Sequence, residues 1–303
     1  MAVFDRILGI ILPVFGIIAL GYGYARLRGE AARLDMTAVN RLSTDVLCPL
    51  LIFTALAAKD FDLAQNGMLI LAGVLISLGS GLIAWPVARL LGYDVRSFVP
   101  PMMYNNCGNM GLPLAVLAFG SAGLPAAVAL FVAGNLVYFS VGIKIIETGE
   151  GRPHTPFWRF LANPMMISML LGVACAVMRV TLPAPLAQAM RMLGEACIPL
   201  MLFALGVRML DVSLRSWHIG LVGAIVCPLA GLAVAWILDG WLAMPPMQRG
   251  QMYLFASLPP AVFCFMIAER YRQEPEKVAA IVLLGNLAAL AFVPVGLWMG
   301  LRS

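Results

Sequence analysis

The sequence predicts an all-α polytopic membrane protein of ten transmembrane helices, built as two inverted five-helix repeats with crossed, broken helices four and nine. Three observations predict it. The 303 residues are 62% hydrophobic and only 12% charged, about half the charge of a typical soluble chain. Ten apolar stretches are long enough to cross a bilayer. The two halves repeat at a nearly constant offset, and a helix-breaking stretch interrupts the fourth such segment of each.

Crossing about 30 Å of hydrocarbon takes roughly 17–25 apolar residues. The candidate spans are 7–25, 42–58, 67–91, 98–119, 123–146, 160–178, 186–207, 217–238, 250–268 and 278–300. The N-terminus has no basic n-region and no cleavage site, so 7–25 reads as a retained span and not as a signal peptide. The longest polar connections are 26–41 and 147–159, which leaves no soluble domain. The expected units are a first repeat 1–147, a cytosolic linker 148–159 and a second repeat 160–303. Cys48, Cys107, Cys175, Cys197, Cys227 and Cys264 stand singly in apolar surroundings, as packing residues and not as a disulfide or metal framework.

The net charge of +5 is no signal for nucleic acid, because its distribution over loops is what counts in a membrane protein. With the N-terminus outside, fourteen Lys and Arg fall on inward-facing segments and six on outward-facing ones. The positive-inside bias therefore places both termini outside, in a bacterial inner membrane.

The repeat is visible in short matches. Cys48–Leu56 (CPLLIFTAL) matches Ile198–Leu205 (IPLMLFAL) at an offset of 150, and Gly134-Asn135-Leu136 matches Gly285-Asn286-Leu287 at 151. Five spans per half is odd, so the second copy enters the membrane upside down. Such inverted repeats mark secondary transporters with a site at the repeat interface.

Span four carries Tyr104–Pro113, YNNCGNMGLP. Gly108, Gly111 and Pro113 weaken or break a helix there, and Asn105, Asn106 and Asn109 supply carboxamides. Free backbone groups in hydrocarbon survive only where protein or a wet cavity covers them. Shifting this stretch by 151 lands on Phe255–Cys264, FASLPPAVFC, where Pro259 and Pro260, beside Ser257, break span nine at the same depth. Two breaks aim two helix N-termini, each worth about half a positive charge, at one region suited to an anion. Asn135 and Asn286 either line that cavity or serve interhelical packing. A wet cavity leaves few partners unsatisfied, so replacing Asn106 or Asn109 with Ala is expected to change stability little.

At these residues the sequence resembles the auxin efflux carrier family, which includes bacterial malonate-type carriers and plant auxin exporters. The resemblance runs through Pro49-Leu50-Leu51, Asn106 with Met110-Gly111-Leu112-Pro113, Asn163-Pro164, Glu195 with Phe203-Ala204-Leu205-Gly206, and Leu258-Pro259 through Ala268-Glu269 to Tyr271. It implies spans four and nine crossing at their breaks, and spans three to five and eight to ten moving against a scaffold of spans one, two, six and seven. It also implies a substrate that is an organic anion carrying a carboxylate. Asn109, Pro260 and Met165-Met166 depart from the plant pattern, and the linker is shorter. A smaller, more polar anion than auxin, such as a dicarboxylate, suits these changes.

Asp45 and Glu195 correspond at an offset of 150 and are the candidates for binding a coupling proton or Na+, since an ionisable group in a span points to function. For Asp45 the alternative is solvation near a helix end. Glu269 is read as an interfacial or gating residue. No cofactor is expected. His154 and His218 fall in loops, with no intramembrane catalytic arrangement, so an enzyme is not expected. The partners are a small organic anion and the lipid bilayer, with no nucleic acid; a homodimer stays open, as does a channel or membrane-bound sensor on the same fold. The topology yields one test. A cysteine placed at any of positions 150–154 should resist an impermeant maleimide added to intact cells, and labelling from outside would overturn the assigned orientation.

Overall fold

The computed structural model describes residues 2–57, 63–148, 162, 164–180, 182–209 and 216–302, and these are helical with no strands. Most of the linker 148–159, with His154, Arg152 and Arg159, lies outside the described residues, as do Lys59, Asn163 and Arg215. Among the described residues, seven helical stretches are long and apolar enough to cross a membrane, and two shorter apolar helices accompany them. The chain is therefore a polytopic membrane protein. Of the ten expected spans, four and nine are broken and six is a short helix.

The helices follow one another as α1 Ala2–Arg28, α2 Glu30–Leu42, α3 Cys48–Leu56, α4 Leu63–Leu90, α5 Val95–Met103, α6 Leu112–Phe119, α7 Leu124–Val137 and α8 Ile143–Glu147. The second half contains α9 Pro164–Val177, α10 Ala184–Arg208, α11 Trp217–Asp239, α12 Pro246–Ser257, α13 Phe263–Arg270 and α14 Pro275–Gly300. A π turn, Ser43–Leu47, joins α2 to α3 just ahead of Pro49. Proline donates no N–H and crowds the preceding turn, and a wider turn relieves both problems. Span four consists of α5, an extended link, the π turn Cys107–Gly111, and α6. Span nine consists of α12, the irregular stretch 258–262, and α13.

Contacts gather the helices into two groups: α1, α2, α3, α9 and α10, and α4 to α8 with α11 to α14. Small residues make the closest approaches, as they must where lipid gives helices no hydrophobic reason to associate. A Cβ on Gly21 would overlap the Phe203 carbonyl, and one on Gly206 would overlap the Ile18 carbonyl, so α1 and α10 meet backbone to backbone. In the other group Gly220 lies against the Ala280 carbonyl and Gly231 against that of Ala256.

A polar cluster fixes the start of α5 to the turn between α13 and α14. Asp94 caps α5, accepting from Arg96 N at 2.9 Å and pairing with the Arg96 guanidinium at 2.8 Å. Gln273 Nε2 donates to Asp94 at 2.9 Å and to Ser97 Oγ at 2.8 Å, while Ser97 Oγ donates to Glu274 at 2.6 Å. The Arg96 side chain holds the Asp94 carboxyl down, from 3.8 to about 2, against the opposing effect of burial. A depressed folded-state value means this stabilisation is complete above 3.8 and is lost as pH falls through about 2. Asp94→Asn should therefore lower the melting temperature near neutral pH, and its difference from wild type should close as both are titrated from 3.8 towards 2. A pH-independent difference would contradict this role.

Candidate functional site

The two breaks meet and pair through their backbones. Tyr104 leaves α5 in an extended conformation, φ −131° and ψ 94°, and Asn105 forms an antiparallel bridge with Pro260. Asn106 N donates to Pro259 O at 2.6 Å and Ala261 N donates to Tyr104 O at 2.9 Å. Pro259, one of the two prolines that prevent a continuous span nine, supplies the carbonyl that Asn106 N of span four needs. Asn105 Nδ2 adds a 2.6 Å bond to Phe255 O.

Asn135 and Asn286 brace this junction from the two flanking helices in parallel ways. Each returns its Nδ2 to the carbonyl four residues earlier, Asn135 to Phe131 at 2.7 Å and Asn286 to Val282 at 2.7 Å. Asn135 Oδ1 accepts from Tyr104 Oη at 2.8 Å, and Asn286 Oδ1 accepts from Asn106 Nδ2 at 2.9 Å. The repeated Gly-Asn-Leu thus does the same job in both halves.

A cavity of about 470 Å³ opens against the crossover, between the two helix groups. Its floor includes Asn105, Asn106, Gly108, Asn109 and Asn135, with Ala261, Val262 and Phe263 from span nine. The N–H groups of Gly108 and Asn109, and those of Val262 and Phe263, have no acceptor among the described residues, so two helix N-termini face the same space. The Asn109 carboxamide also makes no hydrogen bond among the described residues. Tyr104 stacks on Tyr138 with centroids 4.3 Å apart, and Phe263 meets Tyr104 edge-on, giving the floor a rigid aromatic backing. Arg41 and Arg208 stand in the cavity wall with Asp45.

Among the expected site residues, the structure therefore brings Asn105, Asn106, Gly108, Asn109, Asn135 and Asp45 to one cavity. Asn286 lines a neighbouring cavity of about 540 Å³, which shares Leu205, Arg208, Val262 and Met266 with the first and has Glu269 on its wall. Gly111, Pro113, Ser257, Pro259 and Pro260 are buried and line neither. Leu258 packs on Gly111, and Ser257 Oγ donates to Leu254 O at 2.8 Å, so these residues shape the break. Glu195 lies apart from both cavities, exposed and 4.0 Å from Arg191. Arg41 and Arg208 stood out in the sequence only as loop charges, although each ends or opens an apolar span beside the repeat.

One expectation needs correction. Asn106 is only 2% exposed and is the donor to Asn286 Oδ1, so it does not stand free in a wet cavity. Removing it leaves a buried acceptor without its partner, a cost of roughly 1–3 kcal/mol. Asn106→Ala should accordingly lower thermal stability by that much, while Asn109→Ala should stay within about 0.5 kcal/mol of wild type, as surface changes do. Equal losses at the two positions would contradict these assignments.

A family model described as membrane transport protein matches residues 6–157 and 156–299. The chain is 28% identical to a Rhizobium meliloti protein named "Putative malonate transporter", over 98% of this chain and 97% of that one. It is 25% identical to an "Uncharacterized transporter" of Methanothermobacter thermautotrophicus, over 95% and 96% of the two chains, and 18% identical to another from Methanocaldococcus jannaschii, over 96% and 97%. With the family match running through nearly its whole length, the chain is a membrane transport protein and belongs to the auxin efflux carrier family.

Proposed function

We propose that the protein is a secondary transporter that moves a small organic anion bearing a carboxylate, a dicarboxylate such as malonate being the leading candidate, by alternating access at the crossover. The observation that carries this reading is the convergence of two helix N-termini on one cavity that also holds the free carboxamide of Asn109. Those N–H groups offer partial positive charge without a desolvated Lys or Arg at the floor. Arg41 and Arg208, set further out in the same cavity, attract the anion and leave the floor to bind it weakly enough to release. The name of the Rhizobium meliloti relative favours malonate.

In this reading the ten spans form two inverted repeats, 1–147 and 160–303, joined by 148–159, with both termini outside. The group of α4 to α8 with α11 to α14 slides as an elevator against α1 to α3, α9 and α10, because the cavity lies between the groups and few contacts cross it. Arg41 and Arg208 belong to segments assigned to the cytosol by the basic asymmetry, so this conformation faces inward.

Counterflow in proteoliposomes tests the proposal. Labelled malonate uptake should saturate and be accelerated by malonate inside, whereas flux that rises linearly without such stimulation would indicate a channel. Asn109→Ala removes a hydrogen bond to a charged group, worth roughly 1.5–3 kcal/mol, so affinity should fall on the order of ten- to a hundred-fold. Wild-type affinity in that variant would place the site elsewhere.

A further inference from the structure

Behind the crossover lies a third, much smaller space of about 10 Å³, which among its described lining residues shares only Asn105 with the 470 Å³ cavity. That is room for one water-sized species. Ser77 and Ser80 of α4 line it, each only 3% exposed. Three residues apart, they share one helix face. A helical serine or threonine commonly returns its hydroxyl to the carbonyl four residues back, as Thr44, Thr54 and Ser140 do here. Ser77 and Ser80 do not: neither hydroxyl bonds another described residue.

The backbone around this space is rich in acceptors. Asn106 N and Cys107 N, which would have closed the last turn of α5 onto Met102 and Met103, bond instead to Pro259 and Asn105. Pro259 and Pro260 have no N–H to give the Phe255 and Ala256 carbonyls at the end of α12. Asn105 Nδ2 takes the Phe255 carbonyl, which leaves its Oδ1 as an acceptor. Met102, Met103, Asn105 and Ala256 all line the space. The C-terminal, negative ends of two half-helices therefore meet here, opposite in sign to the N-termini that face the large cavity.

We propose that this space binds one small monovalent cation, Na+, held by the hydroxyls of Ser77 and Ser80, Asn105 Oδ1 and the terminal carbonyls of α5 and α12. Among the described residues no carboxylate lines it, and divalent ions are ordinarily held with the help of carboxylates. Its residues come from α4, α5, α11, α12 and the breaks, so the ion travels with one helix group. Asn105 touches both spaces and links the ion to the anion. That link to transport rests on the carrier reading; binding of the ion does not.

The test compares thermal unfolding of purified wild-type protein in sodium chloride and in choline chloride at equal ionic strength. A saturable, sodium-specific rise in melting temperature is expected. Ser77→Ala and Ser80→Ala, examined singly, should each weaken the apparent Na+ affinity on the order of tenfold, a change of about 1.4 kcal/mol. Equal melting in the two salts overturns the proposal and assigns the space to water, and that comparison needs no variant to fold. A sodium effect left intact by both variants places the ion elsewhere and also overturns it. Malonate binding is measured in parallel in both salts. Its absence from both would defeat the malonate reading while leaving the sodium result to stand.

Discussion

Two backbone hydrogen bonds, from Asn106 to Pro259 and from Ala261 to Tyr104, make the rest of this architecture tenable. An interrupted helix exposes N–H and C=O groups that hydrocarbon cannot satisfy, at several kcal/mol each. Here each break lends its orphan groups to the other, so neither is stable alone. The surrounding carboxamides add further bonds, Asn105 to Phe255 O, Asn286 to Pro260 O at 3.3 Å, and Asn106 to Asn286, and the N–H groups still unpaired face the cavity. The close packing of α11 on α14 and of α12 on α14 holds the junction in place.

Pairing the breaks in this way sorts their polarity. The helix segments that begin at the crossover present N–H groups to the 470 Å³ cavity, and those that end there border the small space between α4, α5, α11 and α12. Selectivity for charge of either sign can then come from backbone dipoles. The side chains on the floor are neutral, which avoids burying an unpaired charge within the membrane. Charged side chains are kept to the outer wall, at Arg41, Asp45 and Arg208.

Much of this was legible in the sequence because breaking a helix in a membrane takes conspicuous residues. Pro259-Pro260 and the asparagines of Tyr104–Pro113 marked both breaks, and the Gly-Asn-Leu pair marked the two bracing carboxamides. The register of the crossing was not legible. A shift of 151 pairs Asn105 with Ala256, yet Asn105 faces Pro260. Asn105 precedes Asn135 by 30 residues, but Pro260 precedes Asn286 by only 26. The flanking helices keep the offset of 151, α5 and α12 starting at Val95 and Pro246 and α6 and α13 at Leu112 and Phe263. But α12 runs three residues further than α5 before it breaks, so the residues that pair across the crossing are not equivalents in the repeat. Which carboxamide is free was also hidden, because Asn106 and Asn109 differ only in their tertiary partners. The exposure of Glu195, which lines neither cavity, was hidden for a related reason: depth in a span says nothing about which face of the helix a residue occupies.

A disulfide across the crossing tests the central claim most directly. Asn105 and Pro260 sit between the two backbone bonds, as a non-hydrogen-bonded antiparallel pair does, and such pairs have Cα atoms about 4.5 Å apart, within the usual reach of a disulfide. In a chain with Cys107 and Cys264 replaced, Asn105→Cys and Pro260→Cys would be combined with a protease site in 148–159. After oxidation and cleavage, the account predicts that the two halves stay joined on a denaturing gel until reduced. Halves that separate without reductant, from a variant that still elutes as folded protein, would contradict it.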